Sequence, residues 1–313
     1  MGPDDPIYWS HIATFEECRQ KFLWQFGWDG IDLGEGPGKG KKFPDITSRH
    51  DAVMGKVIQK AVEKFYNEEL WRDPSAVSDI LMGFVEREWR RQIKKRRNFI
   101  DYEKAGLSDS EMIEVCKDGV RGYLVTMKRH RLLGPYARAE VQMLGWLNKW
   151  VTVAGIADVI VRRTDTGITI TDGKNTRHKM RYTNPDQLRW YALVFWRAHG
   201  EMPNRLGFVW YRFPAGHETF DVETGQAFQE EGVEWIPFEK EDLLGLARRA
   251  IDARNAMRKH KFDPVPVPDT CKWCNFESVC EARQEQREKN ASRRRPKNLK
   301  ELEDADGFAD LEL

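Results

Sequence analysis

The chain has 313 residues, enough for one large domain or two modest ones with a substantial core. Hydrophobic residues make up 40% and charged residues 32%, a balance that is typical of a soluble globular protein and excludes wholesale disorder. Because 51 basic residues face 50 acidic ones, any surface for nucleic acid must come from how the charges are arranged.

The sequence favours a cytoplasmic location. No apolar run approaches the roughly 18 residues that a membrane helix needs, and the N-terminal stretch lacks the apolar segment of a secretory signal. The five cysteines are an odd number, which favours reduced thiols or metal ligands over a disulfide framework. Because no long apolar run is present, we also expect no membrane partner.

The N-terminal region is predicted to be a single helix followed by a loop. Ser10 is placed to cap the helix, and Cys18 falls in register with its apolar face. That face recurs at three- and four-residue steps, through Ile12, Phe15, Phe22 and Phe26. Residues 27–48 are rich in glycine and predict a mobile loop.

Helices continue to about residue 132. One is predicted over about 51–70, and two more over about 77–132. The second of these opens with the capping-box pattern of Ser108 and Glu111. The first half of the chain is therefore expected to be helical.

From Ala139 the period changes to that of strands. Asn184 and Pro185 then form a cap and first-turn pair for a helix that ends near His199. The predicted strands cover residues 139–147, 150–162, 168–174, 206–212 and 217–236, and a last helix covers 239–259. This order predicts an α/β fold, with a central mixed sheet flanked by helices and a helical insertion in front of it.

The composition divides the chain into five expected regions. Beyond Cys280 a basic stretch and then an acidic one predict a solvated or disordered tail, although the acidic end could also compete with phosphate at a basic cleft. The regions are an N-terminal helix and loop (1–48), a helical region (49–138), a core (139–262), a cysteine segment (263–284) and the tail (285–313).

Four cysteines are candidate metal ligands. Cys271, Cys274 and Cys280 form a C-x2-C-x5-C run, whereas Cys18 lies near the other end of the chain. Four thiolates suit a tetrahedral zinc ion or a cubane iron–sulfur cluster. Structural zinc sites usually combine two cysteine pairs, so the lone Cys280 favours the cluster, which would staple the two ends together. Cys116 is isolated and is expected to be a small buried hydrophobe.

The predicted hairpin of 150–162 and 168–174 brings two carboxylates together. The five-residue connection ends in Gly167 and is symmetric about Asp165. This register places Asp158 directly opposite Asp172, where Cβ atoms are about 4.5 to 5.5 Å apart. Lys174 is two residues beyond Asp172 and therefore lies on the same face.

Two adjacent carboxylates raise each other's pKa unless a cation lies between them. Mg²⁺ or Mn²⁺ accepts carboxylate oxygens together with water and phosphate, and a neighbouring lysine stabilises charge that develops on phosphate oxygens. The alternative is a solvated strand face with an ordinary ion pair. On the following helix, Gln187 and Tyr191 are four residues apart and share a face that could hydrogen-bond a phosphate or a base.

In this order, the motifs resemble the PD-(D/E)XK nuclease superfamily, and more narrowly its RecB-type iron–sulfur exonucleases, which include the CRISPR-associated Cas-four and AddB nuclease domains. The motifs are Gly155-Ile156-Ala157-Asp158, Asp172-Gly173-Lys174 and Gln187-x-x-x-Tyr191, bracketed by the four cysteines. The resemblance implies a restriction-endonuclease-like fold and a 4Fe-4S cluster on Cys18, Cys271, Cys274 and Cys280. It also implies metal binding by Asp158 and Asp172, a catalytic Lys174, and DNA positioning by Gln187 and Tyr191.

One position departs from the family. A histidine metal ligand usually ends a G-x-x-x-H helix, but the corresponding stretch from Gly55 ends in Gln59, whose amide oxygen is a weaker ligand. Glu63 or His50 could serve instead. Glu140 is a further candidate near the metal, or a surface glutamate.

The resemblance predicts a metal-dependent DNA exonuclease in recombination, repair or phage replication. DNA with single-stranded character is the expected substrate, and a helicase, a recombinase or CRISPR adaptation proteins are expected partners. Two alternatives remain, an inactive nuclease fold that binds DNA and a structure-specific endonuclease. Some of the twelve Trp could stack on bases. A basic run could follow phosphates or simply face solvent, and comprises Arg90, Arg91, Lys94, Lys95, Arg96 and Arg97.

Overall fold

A computed structural model describes residues 1–31, 50–95, 100–176, 179, 184–220, 227–272 and 274–294. The chain forms two compact units. The first contains Met1–Ala13 and Thr47–His260, and the second contains Thr14–Ile46 and Lys261–Leu313. Most of the predicted glycine-rich loop, Arg96 and Arg97 of the basic run, and the tail beyond residue 294 lie outside the described residues.

The first unit is built on a five-stranded mixed sheet. Its strands are β1 (Ala137–Asn148), β2 (Val151–Arg163), β3 (Gly167–Lys174), β4 (Arg205–Trp210) and β7 (Val233–Ile236). They lie in the order β1-β2-β3-β4-β7, with β3 and β4 parallel and the other neighbours antiparallel. An α/β fold with a mixed central sheet is thus confirmed.

The predicted strand over 217–236 is wrong. Its described part holds β5 (Glu218–Phe220), β6 (Ala227–Gln229) and β7, and the first two pair only with each other, in a separate sheet. Gly232 has φ +74°, a left-handed conformation that interrupts an extended run between β6 and β7. Only β7 therefore reaches the main sheet.

In the described part of the helical region, three α-helices follow α3 (His50–Asn67), where the sequence pattern predicted two helices. They are α4 (Pro74–Ile93), α5 (Tyr102–Ala105) and α6 (Asp109–Arg129). The helix α3 packs against α4 and α6 over a core that includes Trp89 and Tyr123. The predicted capping box at the start of α6 is confirmed, since Ser108 and Glu111 hydrogen-bond reciprocally.

The helix α7 (Pro185–His199) covers β1 to β4 and is backed by α8 (Lys240–Arg258). Asn184 caps α7 as predicted, because its side chain accepts from the Asp186 N–H at 3.0 Å. Gly200, at φ +74°, ends the helix. None of the described helices is both long and apolar enough to cross a membrane.

The predicted N-terminal helix is in fact two helices, α1 (Trp9–Glu17) and α2 (Arg19–Phe26). Ser10 lies inside α1 and does not cap it. The helical conformation is interrupted at Cys18, whose backbone is extended (φ −162°, ψ 118°). The Cys18 side chain is half-buried and does not continue the apolar face. Phe15 and Phe22 of the apolar face pack within the second unit, where Phe22 stacks on Phe262 with ring centres 6.1 Å apart.

The segment around the three clustered cysteines is short and irregular. It contains α9 (Pro268–Cys271) and a 3₁₀ turn, Glu277–Val279. A helix α10 (Glu281–Arg294) follows, so the first part of the predicted solvated tail is helical. The ion pairs of Glu277 with Arg283 (3.1 Å) and Arg287 (2.7 Å) attach this helix to the preceding turn.

The cap of α7 gives a stability prediction. We expect Asn184→Ala to lower the free energy of unfolding by about 1 kcal/mol, because the Asp186 N–H loses its acceptor. Urea denaturation measures the change. Asn184→Ser keeps a capping oxygen and should stay near wild type, and equal loss in both variants would contradict the capping role.

Candidate active site

The predicted register of the β2–β3 hairpin is confirmed. Val159 pairs with Thr171 and Arg163 pairs with Gly167, so Asp158 and Asp172 occupy the next opposed positions. Asp158 Oδ2 accepts from the backbone N–H of Gly173 at 2.8 Å. The hairpin therefore holds the two acidic residues on adjacent strands, with the Asp158 carboxylate bound to the backbone of β3.

Glu140 is the third member of this acidic row. In β1, Ala139 pairs with Val159 and Val141 pairs with Ala157, which sets Glu140 opposite Asp158. The backbone of Glu140 has φ +53°, in the left-handed region that non-glycine residues rarely adopt. The sequence left Glu140 open as a candidate near the metal or as a surface glutamate, and the structure places it in the acidic row.

Gln59 of α3 joins two of these carboxylates. Its Nε2 donates to Glu140 Oε1 at 2.7 Å and to Asp158 Oδ1 at 2.9 Å. The position that departs from the family pattern is therefore at the site, with the amide nitrogen directed at the acidic groups.

The two other candidate ligands on α3 are placed differently. His50 contacts Asp51 at 3.4 Å, and it is nine residues, or about 13 Å along the helix axis, from Gln59. Glu63 pairs with Lys60, and its charge also raises the pKa of Glu140.

The other end of the row carries Lys174 and two groups from α7. Lys174 Nζ forms an ion pair with Asp172 and donates to Gln187 Oε1 at 2.8 Å. Gln187 Nε2 donates in turn to Asp172 Oδ1 at 3.1 Å and to the Tyr191 hydroxyl at 3.0 Å. The helix α7 thus fixes the lysine against the carboxylate.

Burial makes the acidic row electrostatically costly. It is the main reason that the pKa of Asp158 lies well above the ordinary value, and the charge of Asp172 adds to it. Burial also raises the pKa of Asp172, against the opposing effect of Lys174, and that of Glu140. A cation would relieve this repulsion, and carboxylate oxygens are the ligands that Mg²⁺ and Mn²⁺ prefer.

The chemistry of this oxygen-rich donor set fits a hard divalent ion. In the described parts of both units, however, no group of three or more His, Cys, Asp or Glu side chains is placed so that it could hold a metal ion. In this structure the carboxylates are bound by Gln59, Gly173, Lys174 and Gln187.

Tyr211 is a site residue that sequence reasoning missed. It follows β4, it is buried, and its backbone N–H donates to the carbonyl of Lys174 at 3.0 Å. A Cβ atom on Gly173 would lie 1.8 Å from the Tyr211 hydroxyl. The one sequence signal was the glycine between Asp172 and Lys174, which indicates close approach by another group.

The cysteines of the candidate cluster all belong to the second unit. Cys18, Cys271, Cys274 and Cys280 line one pocket, together with Lys21 and Arg283. Burial is the main cause of the raised pKa of the Cys271 and Cys274 thiols, and the neighbouring cysteines raise it further. The fifth, Cys116, is buried in α6, as predicted.

Two of the described basic residues of the predicted phosphate track contact neighbouring side chains. Arg91 is bound to Glu88 at 2.6 Å, and Lys95 donates to Gln92 at 3.2 Å. Both lie at the end of α4 or just beyond it.

A family model described as the PD-(D/E)XK nuclease superfamily matches residues 9–281. The chain belongs to the PD-(D/E)XK nuclease superfamily. This membership suggests a nuclease with DNA as the substrate, and superfamily members usually use Mg²⁺ or Mn²⁺.

Comparison with individual proteins adds little to the superfamily assignment. A search of curated proteins finds no match. Among solved structures, the crystal structure of SSO0001 is similar at 19% identity and a TM-score of 0.32, over 56% of this chain and 79% of that one.

The contact between Gly173 and Tyr211 gives a second prediction. We expect Gly173→Ala to lower the free energy of unfolding by about 1 to 3 kcal/mol, because the added methyl group overlaps the phenol. Chemical denaturation measures it. Gly245→Ala is the matched control, since nothing lies within 4 Å of its Cβ position in α8, and alanine there should stabilise the helix. An unchanged free energy of unfolding in Gly173→Ala would show that the Tyr211 side chain can move aside.

Proposed function

We propose that this superfamily member is a metal-dependent DNA exonuclease of the RecB-like iron–sulfur type, acting on DNA ends in recombination, repair or phage replication. The observation that carries the proposal is the half-buried row of Glu140, Asp158 and Asp172 on three adjacent strands, with Lys174 beside it. Carboxylates that lie close together away from solvent destabilise the folded protein. Such a row is therefore better explained by a functional role than by a contribution to stability.

In this proposal Asp158 and Asp172 bind Mg²⁺ or Mn²⁺, together with Glu140 and with Gln59 through its amide oxygen. The ion would supply a Lewis acid that polarises the scissile phosphate. Lys174 places an ammonium group where negative charge develops on phosphate oxygens, and its contact with Gln187 orients it. Tyr191 and Gln187 supply uncharged hydrogen-bonding groups for the DNA.

We propose that Cys18, Cys271, Cys274 and Cys280 bind a 4Fe-4S cluster, with structural zinc as the alternative. Their common pocket supports this proposal. Lys21 and Arg283 also line it and favour the thiolates of Cys274 and Cys271, although each cation is paired with a glutamate of the same pocket. The cluster would join two segments that are distant in sequence and thereby stabilise the second unit.

A second candidate function is a catalytically inactive nuclease fold that binds DNA or assembles with other proteins. Gln59 favours an inactive site, because its amide nitrogen donates to two carboxylates. The amide would have to rotate so that its oxygen, and not its nitrogen, could bind a metal ion. A structure-specific endonuclease is a third candidate. A helicase, a recombinase or CRISPR adaptation proteins remain proposed partners, on the family resemblance alone.

The decisive experiment is cleavage of end-labelled single- and double-stranded DNA. We expect wild type to cleave with Mg²⁺ or Mn²⁺ and not in EDTA, and Lys174→Ala to be slower by about 100-fold or more, because an ammonium group that stabilises the transition state is lost. Lys104→Ala, at an exposed lysine of α5, is the control and should cleave normally. Covalently closed circles should survive, whereas their digestion would favour an endonuclease.

Mn²⁺ binding, measured by titration calorimetry, separates an inactive protein from a damaged one. We expect Asp158→Asn and Asp172→Asn to lose binding and Lys174→Ala to keep it, since the lysine is not a ligand. A folded wild type that neither binds Mn²⁺ nor cleaves would contradict the proposal. Activity that appears only in Gln59→His would identify the glutamine as the cause of an inactive site.

The cluster has its own prediction. Anaerobically purified protein should show the broad visible absorption of an iron–sulfur centre and contain iron and acid-labile sulfide, and Cys18→Ala should lose both. Cys116→Ala should keep them, because that thiol is buried in the first unit. Stoichiometric zinc without iron in wild type would replace the cluster with the zinc alternative.

A further inference from the structure

The distal part of the β1–β2 hairpin has an unusual composition. This segment, residues 141–157, forms an arm that lies between Glu140 and Asp158 in the sequence. It contains no Asp or Glu, and Lys149 is its single charged residue, although 32% of the whole chain is charged. An uncharged surface therefore begins directly at two carboxylates of the acidic row.

One face of the arm is buried and the other is exposed. Gly145 and Gly155 lie against side chains of α7, so the residues that alternate with them point away from that helix. Trp146 and Trp150 are 57% and 60% exposed, more than any other large hydrophobic residue that the structure describes. The exposed apolar residues of the arm are Leu144, Trp146, Trp150 and Ile156.

Basic side chains contact the arm, and one of them lies beside an indole ring. Lys149 Nζ is 4.9 Å from the centre of the Trp150 ring, and Arg258 donates to the Trp150 carbonyl at 3.0 Å. Arg197 Nε donates to the Trp146 carbonyl at 2.7 Å. Arg258 also pairs with the exposed Asp4 at 3.6 Å. Two exposed flat rings on a segment without acidic residues, one of them beside an ammonium group, match a ligand that combines π-faces with negatively charged phosphates.

We propose that the exposed face of the arm, formed by Leu144, Trp146 and Ile156 and continued by Trp150 in the hairpin turn, is a platform on which unpaired bases of single-stranded DNA stack. The proposal rests on the proposed nuclease function and specifies its substrate as a strand with accessible bases. Trp146 is six residues from Glu140, or about 20 Å along the strand, so the platform would guide several nucleotides next to the carboxylates. Bases inside an intact duplex cannot stack on it.

The test measures binding of fluorescein-labelled oligo(dT) and of a blunt duplex in EDTA, by fluorescence anisotropy. We expect Trp146→Ala and Trp150→Ala each to weaken oligo(dT) binding about 5-fold or more and to leave duplex binding unchanged. Trp146→Phe and Trp150→Phe keep a stacking ring and should bind within about 2-fold of wild type. Tyr102→Ala, which removes an exposed aromatic side chain from α5, should have no effect. Matching thermal melts confirm that each variant is folded.

Several results would overturn the platform. Alanine variants that bind oligo(dT) like wild type would do so, as would equal losses for oligo(dT) and duplex. Unchanged oligo(dT) binding combined with a dimer that dissociates in Trp146→Ala would assign the face to a second copy of the chain.

The cleavage assay and the oligo(dT)-binding assay together distinguish failure of the nuclease proposal from failure of the platform proposal. A wild type that cleaves nothing, but whose oligo(dT) binding is lost in Trp146→Ala, would support the platform and contradict the nuclease. Asp172→Asn should retain oligo(dT) binding while cleavage is lost, because that residue is in the acidic row and not in the arm.

Discussion

The crowding of three carboxylates into one half-buried row is the constraint around which the first unit is arranged. Glu140, Asp158 and Asp172 are contributed by three neighbouring strands, and burial raises the pKa of each. Lys174 is paired with Asp172, Gln59 binds the other two, and the backbone of Gly173 binds Asp158. The helices α3 and α7 thus contribute Gln59 and Gln187, whose amide groups hydrogen-bond to the carboxylates and offset part of their repulsion.

The sequence was most informative where one local rule determined the geometry. A symmetric five-residue connection set the register of the β2–β3 hairpin, and the alternation of side chains then placed Lys174 on the face of Asp172. The cap and proline at the start of α7 predicted the helix that carries Gln187 and Tyr191, which hydrogen-bond to each other in the structure. In these segments, local propensity and tertiary packing favour the same structure.

The sequence was less informative where the geometry depends on distant residues. The sequence could not decide whether Glu140 lies near the metal or on the surface, because its place depends on a left-handed backbone and on pairing with β2. The sequence offered almost no indication of the role of Tyr211. Its contact with Gly173 depends on the parallel pairing of β3 with β4, and these two strands are connected by the crossover that contains α7. The break at Cys18 was also missed, because the apolar periodicity continues on both sides of it while the backbone becomes extended.

The contact of Tyr211 with Gly173 also bears on how this site can diverge. The middle residue of the Asp172-Gly173-Lys174 segment has no room for a side chain while the phenol occupies that volume. A lineage that acquires a larger residue at position 173 must first, or at the same time, acquire a smaller one at position 211. The two positions are therefore expected to change as a pair, although 38 residues and a full crossover separate them in the chain.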